Sequence, residues 1–125
     1  MNTVGYFEIQ TSNPAREINF YHNVFGWNFS LEPQAPNEYY RIETRNMHGG
    51  LLKRPSALPP QDAGTNAFTC SIQVSDFDKM AEKIIINGGK VTIPKFPIPY
   101  RCWQGYFLDE DNNIFGIFQV DNKAK

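Results

Sequence analysis

The sequence of 125 residues is poor in several things, and each shortage closes off a class of protein. It has two cysteines, Cys70 and Cys102. They are too few and too far apart for the disulfide frameworks of small secreted domains, and no CxxC pair or zinc-ligand spacing exists. Reduced thiols in a cytoplasmic protein are the simplest expectation. No apolar run approaches the ~20 residues needed to cross a bilayer, and Met1 to Gln10 lacks the basic start and apolar centre of a signal peptide. Neither export nor membrane insertion is expected. An excess of one charge is missing too: 12 Lys and Arg stand against 13 Asp and Glu, for a net charge of -1. With no basic face to meet a phosphate backbone, nucleic acid is not an expected partner.

What the sequence has in quantity is aromatic side chains, 14% of residues, with ten Phe and six Tyr. That is more than a core of this size needs. Some rings are therefore candidates for lining a cavity, and sheet packing is the other use for them. The length suits one domain able to bury roughly two thirds of the surface that its unfolded chain exposes, so no covalent staple is needed.

The pattern along the chain is written twice. Gly5 to Gln10 alternates, with Phe7 and Ile9 on one side and Tyr6, Glu8 and Gln10 on the other, the period of a half-buried strand. A helix signal follows: Asn13 to cap, Pro14 for the first position, an apolar stripe of Ile18, Tyr21 and Phe25 flanked by Phe20 and Val24, and Gly26 as a left-handed stop. In the second half Phe68 to Val74 reads as a strand, Ser75 as a cap, and Phe77, Met80, Ala81, Ile84 and Ile85 as the stripe, with Gly88 at its end. Three strand candidates follow each helix: Trp27–Leu31, Tyr39–Thr44 and Met47–Lys53, then Lys90–Ile93, Trp103–Leu108 and Ile114–Val120. The order βαβββ, repeated, predicts a single α+β domain over 1–125, with modules at 1–54 and 67–121 and an irregular, proline-bearing connection at 55–66.

Three short motifs carry a resemblance. Phe20-Tyr21 followed by Val24-Phe25-Gly26-Trp27 resembles FYxxvFGW, Asn87-Gly88-Gly89-Lys90-Val91 resembles aGGkv, and Asp109 to Asn113 resembles a DPxGN turn. Together they are similar to the vicinal oxygen chelate superfamily, which takes in glyoxalase I, bleomycin resistance proteins and extradiol dioxygenases. Phe7-Glu8-Ile9 is similar to the FEI of a glyoxalase-related subgroup. The resemblance implies curved mixed sheets around a cup and a homodimer. In the family's enzymes it also implies a divalent metal, held by His, Glu or Gln from the first and last strands of each half and acting as a Lewis acid on vicinal oxygens.

Carried onto this chain by those motifs, the ligand positions fall on Tyr6, Thr69 and Gly116, and the second falls on Met47–Lys53, which has no carboxylate and offers only His48. Slips of one or two residues assemble Glu8, His48, Gln73 and Gln119, a weak set. The expectation is accordingly no metal and no other cofactor, no assigned catalytic residue, and a small aromatic or apolar molecule bound in the cup. The residues expected to contact it are Tyr6, Glu8, Tyr40, His48, Thr69, Trp103, Tyr106 and Phe118, with Pro94 to Tyr100 as a stiff arm at the mouth. Glu8 reads as a cup carboxylate, able to act as a base if desolvated, or as a rim residue paired with a cation. Two other readings stand beside this one: a metal-dependent lyase, isomerase or dioxygenase with atypical ligands around Glu8 and His48, and an interaction module whose own aromatics fill the cup.

Overall fold

The computed structural model describes residues 3–63 and 68–125. Their contacts divide the chain into two units, one running to Pro59 and one beginning at Pro60. The first contains β1 (Phe7–Thr11), α1 (Pro14–Phe25), β2 (Asn28–Leu31), β3 (Tyr39–Glu43) and β4 (Gly49–Lys53). The second contains β5 (Ser71–Gln73), α2 (Phe77–Ile86), β6 (Lys90–Ile98), β7 (Cys102–Leu108) and β8 (Ile114–Val120). Each unit is thus βαβββ, as the sequence predicts. The strand orders match as well: β1-β4-β3-β2 in one sheet and β5-β8-β7-β6 in the other. In both, the first strand lies parallel to the last and the remaining pairs are antiparallel. Neither sheet closes into a barrel.

Helix α1 begins and ends where its sequence says. The Asn13 side chain accepts from the Arg16 amide (3.1 Å), Pro14 opens the helix, and Gly26 (φ 74°) donates its amide to the His22 carbonyl at 2.8 Å. Phe20, Tyr21 and Val24 are buried, as are Ile42 of β3 and Leu51 of β4. Each such side chain contributes roughly 1.5–3 kcal/mol by leaving water. Trp27, just beyond the stop, lies parallel to Tyr21 at 5.2 Å and within 5.5 Å of Phe7, so the β1 face that carries Phe7 is the one facing α1.

Four expectations need correction. Helix α2 is capped by Asp76, not Ser75: Asp76 holds the extended conformation (φ -142°, ψ 103°) and accepts from the Lys79 amide at 3.1 Å. Its carboxylate also suits the positive helix end better than a hydroxyl. The last strand of the first unit starts at Gly49, leaving Met47 and His48 outside it. Strand β5 has only three residues, so the described part of the predicted Phe68–Val74 strand leaves Phe68, Thr69 and Cys70 outside, all exposed. Finally, the expected arm from Pro94 continues β6 to Ile98. Prolines are tolerated there because β6 is an edge strand, and register shifts between Val91 and Ile93 and between Ile93 and Phe96 absorb the misfit.

Candidate functional site

Alternation gives each sheet one face towards its helix and one away from it. In the first unit Phe7 pairs with Gly49, Ile9 with Leu51 and Tyr40 with Leu51, and these residues face α1. The opposite face carries Glu8 against Gly50, Arg41 against Gly50, and Tyr39 against Leu52. In the second unit Ile72, Gly105, Phe107 and Ile117 face α2, where a side chain on Gly105 would strike the Phe77 ring. Its opposite face carries Ser71 against Gly116, Tyr106 against Gly116, and Gln104 against Phe118.

The two helix-free faces have the same plan. Gly50 and Gly116 occupy matching places on the last strands, each beside a first-strand residue, Glu8 or Ser71, and each overlain by a diagonal neighbour. At Gly50 a side chain would run into the Tyr39 hydroxyl and ring. At Gly116 it would meet Ser71 Oγ at 2.5 Å and Gln104 Nε2 at 2.7 Å. The Tyr39 and Gln104 side chains thus take the room a side chain on each glycine would need. Gln104 Nε2 donates to Ser71 Oγ (3.1 Å), and the Tyr39 and Tyr6 hydroxyls share a 2.6 Å hydrogen bond. Burial first, then the Tyr6 hydroxyl and the charge of Glu8, push the Tyr39 phenol above its ordinary range, with Arg41 opposing them. Tyr39 is therefore a neutral hydrogen-bonding group at physiological pH.

Beside Tyr39 lies an open hollow of about 310 Å³, lined by Glu32, Ala35, Pro36, Asn37, Tyr39 and Leu52. The β2–β3 connection shapes it, held by the Glu32 amide on the Tyr39 carbonyl (2.9 Å) and the Ala35 amide on the Glu32 carbonyl (3.3 Å).

The expected contact residues distribute unevenly over these faces. Tyr6 and Glu8 belong with Tyr39 on the helix-free side of the first sheet. Tyr40, expected beside them, stands on the α1 side, its hydroxyl donating to Glu38 Oε2 at 2.7 Å. His48 is exposed ahead of β4. In the second unit Tyr106 and Phe118 share the helix-free face, whereas Trp103 stands on the α2 side, its Nε1 donating to Asp121 Oδ2 (3.0 Å) beneath the Lys95 ammonium. Thr69 is exposed outside β5, and Ser71 holds the place beside Gly116. Gln119, one of the slipped ligand candidates, accepts from the Phe77 amide at the start of α2 (2.7 Å). Sequence reasoning missed Tyr39, Ser71 and Gln104. Part of the signal was present, since a glycine within a strand marks close approach by a neighbour, but which neighbour depends on strand pairing.

Among the described residues, no three His, Cys, Asp or Glu side chains stand close enough to hold a metal ion, and no helix is long and apolar enough to cross a membrane.

Comparison with known proteins follows this geometry. The sequence profile of the Glyoxalase/Bleomycin resistance protein/Dioxygenase superfamily matches residues 3–117. A protein named "Putative glyoxylase CFP32" from Mycobacterium tuberculosis (strain CDC 1551 / Oshkosh) is 24% identical over 122 residues, which are 95% of this chain and 46% of that protein. The chain therefore spans about half the length of the curated relatives it matches. A glyoxalase/bleomycin resistance protein/dioxygenase family enzyme from Burkholderia phytofirmans PsJN superposes with a TM-score of 0.73 at 20% identity, over 94% of this chain and 98% of the other. The fosfomycin resistance protein FosX from Listeria monocytogenes, in complex with Mn(II) and sulfate, superposes with a TM-score of 0.76 at 14% identity, over 97% and 92%. At these identities the structures share a fold with this chain.

Proposed function

The chain belongs to the glyoxalase/bleomycin resistance protein/dioxygenase superfamily, and from that premise we propose that it binds a small, largely apolar or aromatic molecule on the helix-free sheet faces without a divalent metal. The observation that carries this reading is the pair of glycines. The first and last strands of each half are where the resemblance puts metal ligands, on Tyr6, Thr69 and Gly116 with His48 as the only donor near the second, and the strand pairing sets Glu8 beside Gly50 in one unit and Ser71 beside Gly116 in the other. Neither pair, a carboxylate with a glycine or a hydroxyl with a glycine, supplies the three or four good donors that a transition metal needs. Nor do the neighbours that fill the space: Tyr39 is held neutral and Gln104 is engaged with Ser71.

What remains on those faces suits binding. In the first unit Tyr6 and Tyr39 offer ring surface, and in the second Phe96, Tyr106 and Phe118 do, with Phe96 and Tyr106 stacked at 6.3 Å. Each face also offers placed hydrogen-bonding groups, the Tyr6–Tyr39 hydroxyl pair on one and the Gln104 amide on the other, and rings with a few polar groups are the usual composition of a small-molecule site. The Mn(II) of the Listeria protein marks what one protein of the same fold holds. The metal-dependent alternative loses ground on geometry, since His48 lies off the strand that would have to present it.

The test is a thermal-shift screen of neutral aromatic metabolites on the 125-residue chain stripped with EDTA. At least one compound should raise the melting temperature and shift the amides of Tyr39 or Gln104, because a ligand selective for the folded state stabilises it. A stoichiometric metal that copurifies and disappears in Glu8→Gln would overturn the metal-free reading. A screen in which nothing binds would favour faces filled by their own side chains.

A further inference from the structure

We propose that the free edge of β2 pairs with the same edge of a second copy of this chain, antiparallel about a two-fold axis at Ser30. The inference stands apart from the small-molecule reading and starts from the backbone. The Glu32 amide donates to the Tyr39 carbonyl at 2.9 Å, and back along the strand Ser30 lies opposite Arg41 and Asn28 opposite Glu43. Antiparallel ladders alternate, so Asn28 and Ser30 direct their backbone groups at β3, while the N–H and C=O of Phe29 and Leu31 point out of the sheet. No described residue bonds to those groups. The Leu31 side chain is 60% exposed.

An open strand edge is a template for pairing, and folded proteins guard such edges with prolines, bulges, charges or shortness. The other edges here are guarded. Strand β6 carries Pro94, Pro97, Lys90 and Lys95 and the register shifts described above. Strand β5 has three residues. On β1 the outward Gln10 carbonyl accepts from Arg54 Nη2 at 3.0 Å. Strand β2, Asn28–Leu31, has no proline, no charged residue and no register shift.

A second copy suits this edge because the strand is complementary to itself. With the axis at Ser30, Phe29 lies opposite Leu31 of the second copy, and the outward groups of both strands bond one another. An axis at Phe29 or at Leu31 matches fewer of them. The side chains favour the same register. Phe29 and Leu31, which lie opposite Ile42 and Tyr40 and so share the α1 side, meet across the axis as an apolar pair. On the other side hydroxyl faces hydroxyl at Ser30, and the Glu32 carboxylate faces the Asn28 amide, so no like charges meet. The contact is short, which places the association among weak, micromolar to millimolar ones.

Sedimentation of the 125-residue chain under reducing conditions, up to about 1 mM, should show a monomer–dimer equilibrium. Leu31→Pro removes an outward donor and leaves the ladder to β3 intact. Ser30→Lys sets like charges face to face at the axis. Each should raise the dissociation constant roughly tenfold or more while the circular dichroism of the dilute monomer stays that of the parent. Directly opposed residues without mutual hydrogen bonds lie within disulfide reach. In a background carrying Cys70→Ser and Cys102→Ser, air-oxidised Ser30→Cys should therefore give a dimer joined at position 30, and Asn28→Cys should not. A chain that stays monomeric at about 1 mM and does not cross-link through Ser30→Cys sinks the inference. So does a dimer that both Leu31→Pro and Ser30→Lys leave intact, because its interface then lies elsewhere.

Discussion

At Gly50 a single added methyl group would meet the Tyr39 hydroxyl and ring, so the residue is small because its neighbour is large. Replacing glycine by alanine inside a strand ordinarily stabilises by up to ~1 kcal/mol through the unfolded chain. Here Gly50→Ala should instead cost about 1–3 kcal/mol, the range for overpacking, measured from urea unfolding midpoints. In a Tyr39→Leu background most of that cost should vanish, since residues competing for one space give non-additive effects. Simple additivity would mean that Tyr39 is not what fills the site.

The same tyrosine predicts an alkaline signature. Its folded-state pKa is raised, chiefly by burial and then by Tyr6, so the folded protein holds the phenol proton more tightly than the unfolded chain does. The sign follows from proton counting: the contribution is complete below the ordinary tyrosine pKa of ~10 and is lost as pH rises beyond it. Stability should decline above that value, and Tyr39→Phe should flatten the decline when urea midpoints are compared on either side of it.

Elements show where local signals suffice and where they compete. Both Ser75 and Asp76 are good N-cap residues, and the chain uses Asp76 because the Gln119 side chain from β8 engages the Phe77 amide, which fixes Phe77 as the first helical residue. Asp76→Ala should therefore cost about 1 kcal/mol, while Ser75→Ala should stay within about 0.5 kcal/mol of the parent, both read from thermal or urea unfolding. Equal effects would restore the earlier cap. Strand β6 carries the complementary lesson. Pro94 and Pro97 ordinarily end a strand, but on a sheet edge their missing donors face no partner, so the strand runs on through them.

Across the whole molecule the two units repeat one topology and one register, down to matched glycines on the last strands. The chain shares its fold with a protein solved with Mn(II), and the metal-free reading proposed above makes a direct prediction about that ion. Adding Mn(II) or Zn(II) at about 100 μM to the stripped protein should thus leave its unfolding free energy unchanged. A site with a dissociation constant near 1 μM would raise it by roughly 2.7 kcal/mol. A shift of that size, abolished by Glu8→Gln, would overturn the metal-free reading.

The sequence by itself determined the repeated βαβββ order, both helices to within a residue or two at each end, and the family. These rest on local periodicity, capping chemistry and short motifs, which neighbours in the chain specify. The tertiary structure decided the registers and the faces. Pairing set Glu8 beside Gly50 and Ser71 beside Gly116, each two residues along from Tyr6 and Thr69. Aromatics of one strand were sorted to opposite sides, Tyr39 away from the helix and Tyr40 towards it, Tyr106 away and Trp103 towards it. A slip of one residue in register exchanges the two faces of a strand, so what stands over a glycine is fixed by strand pairing and cannot be read from either strand alone.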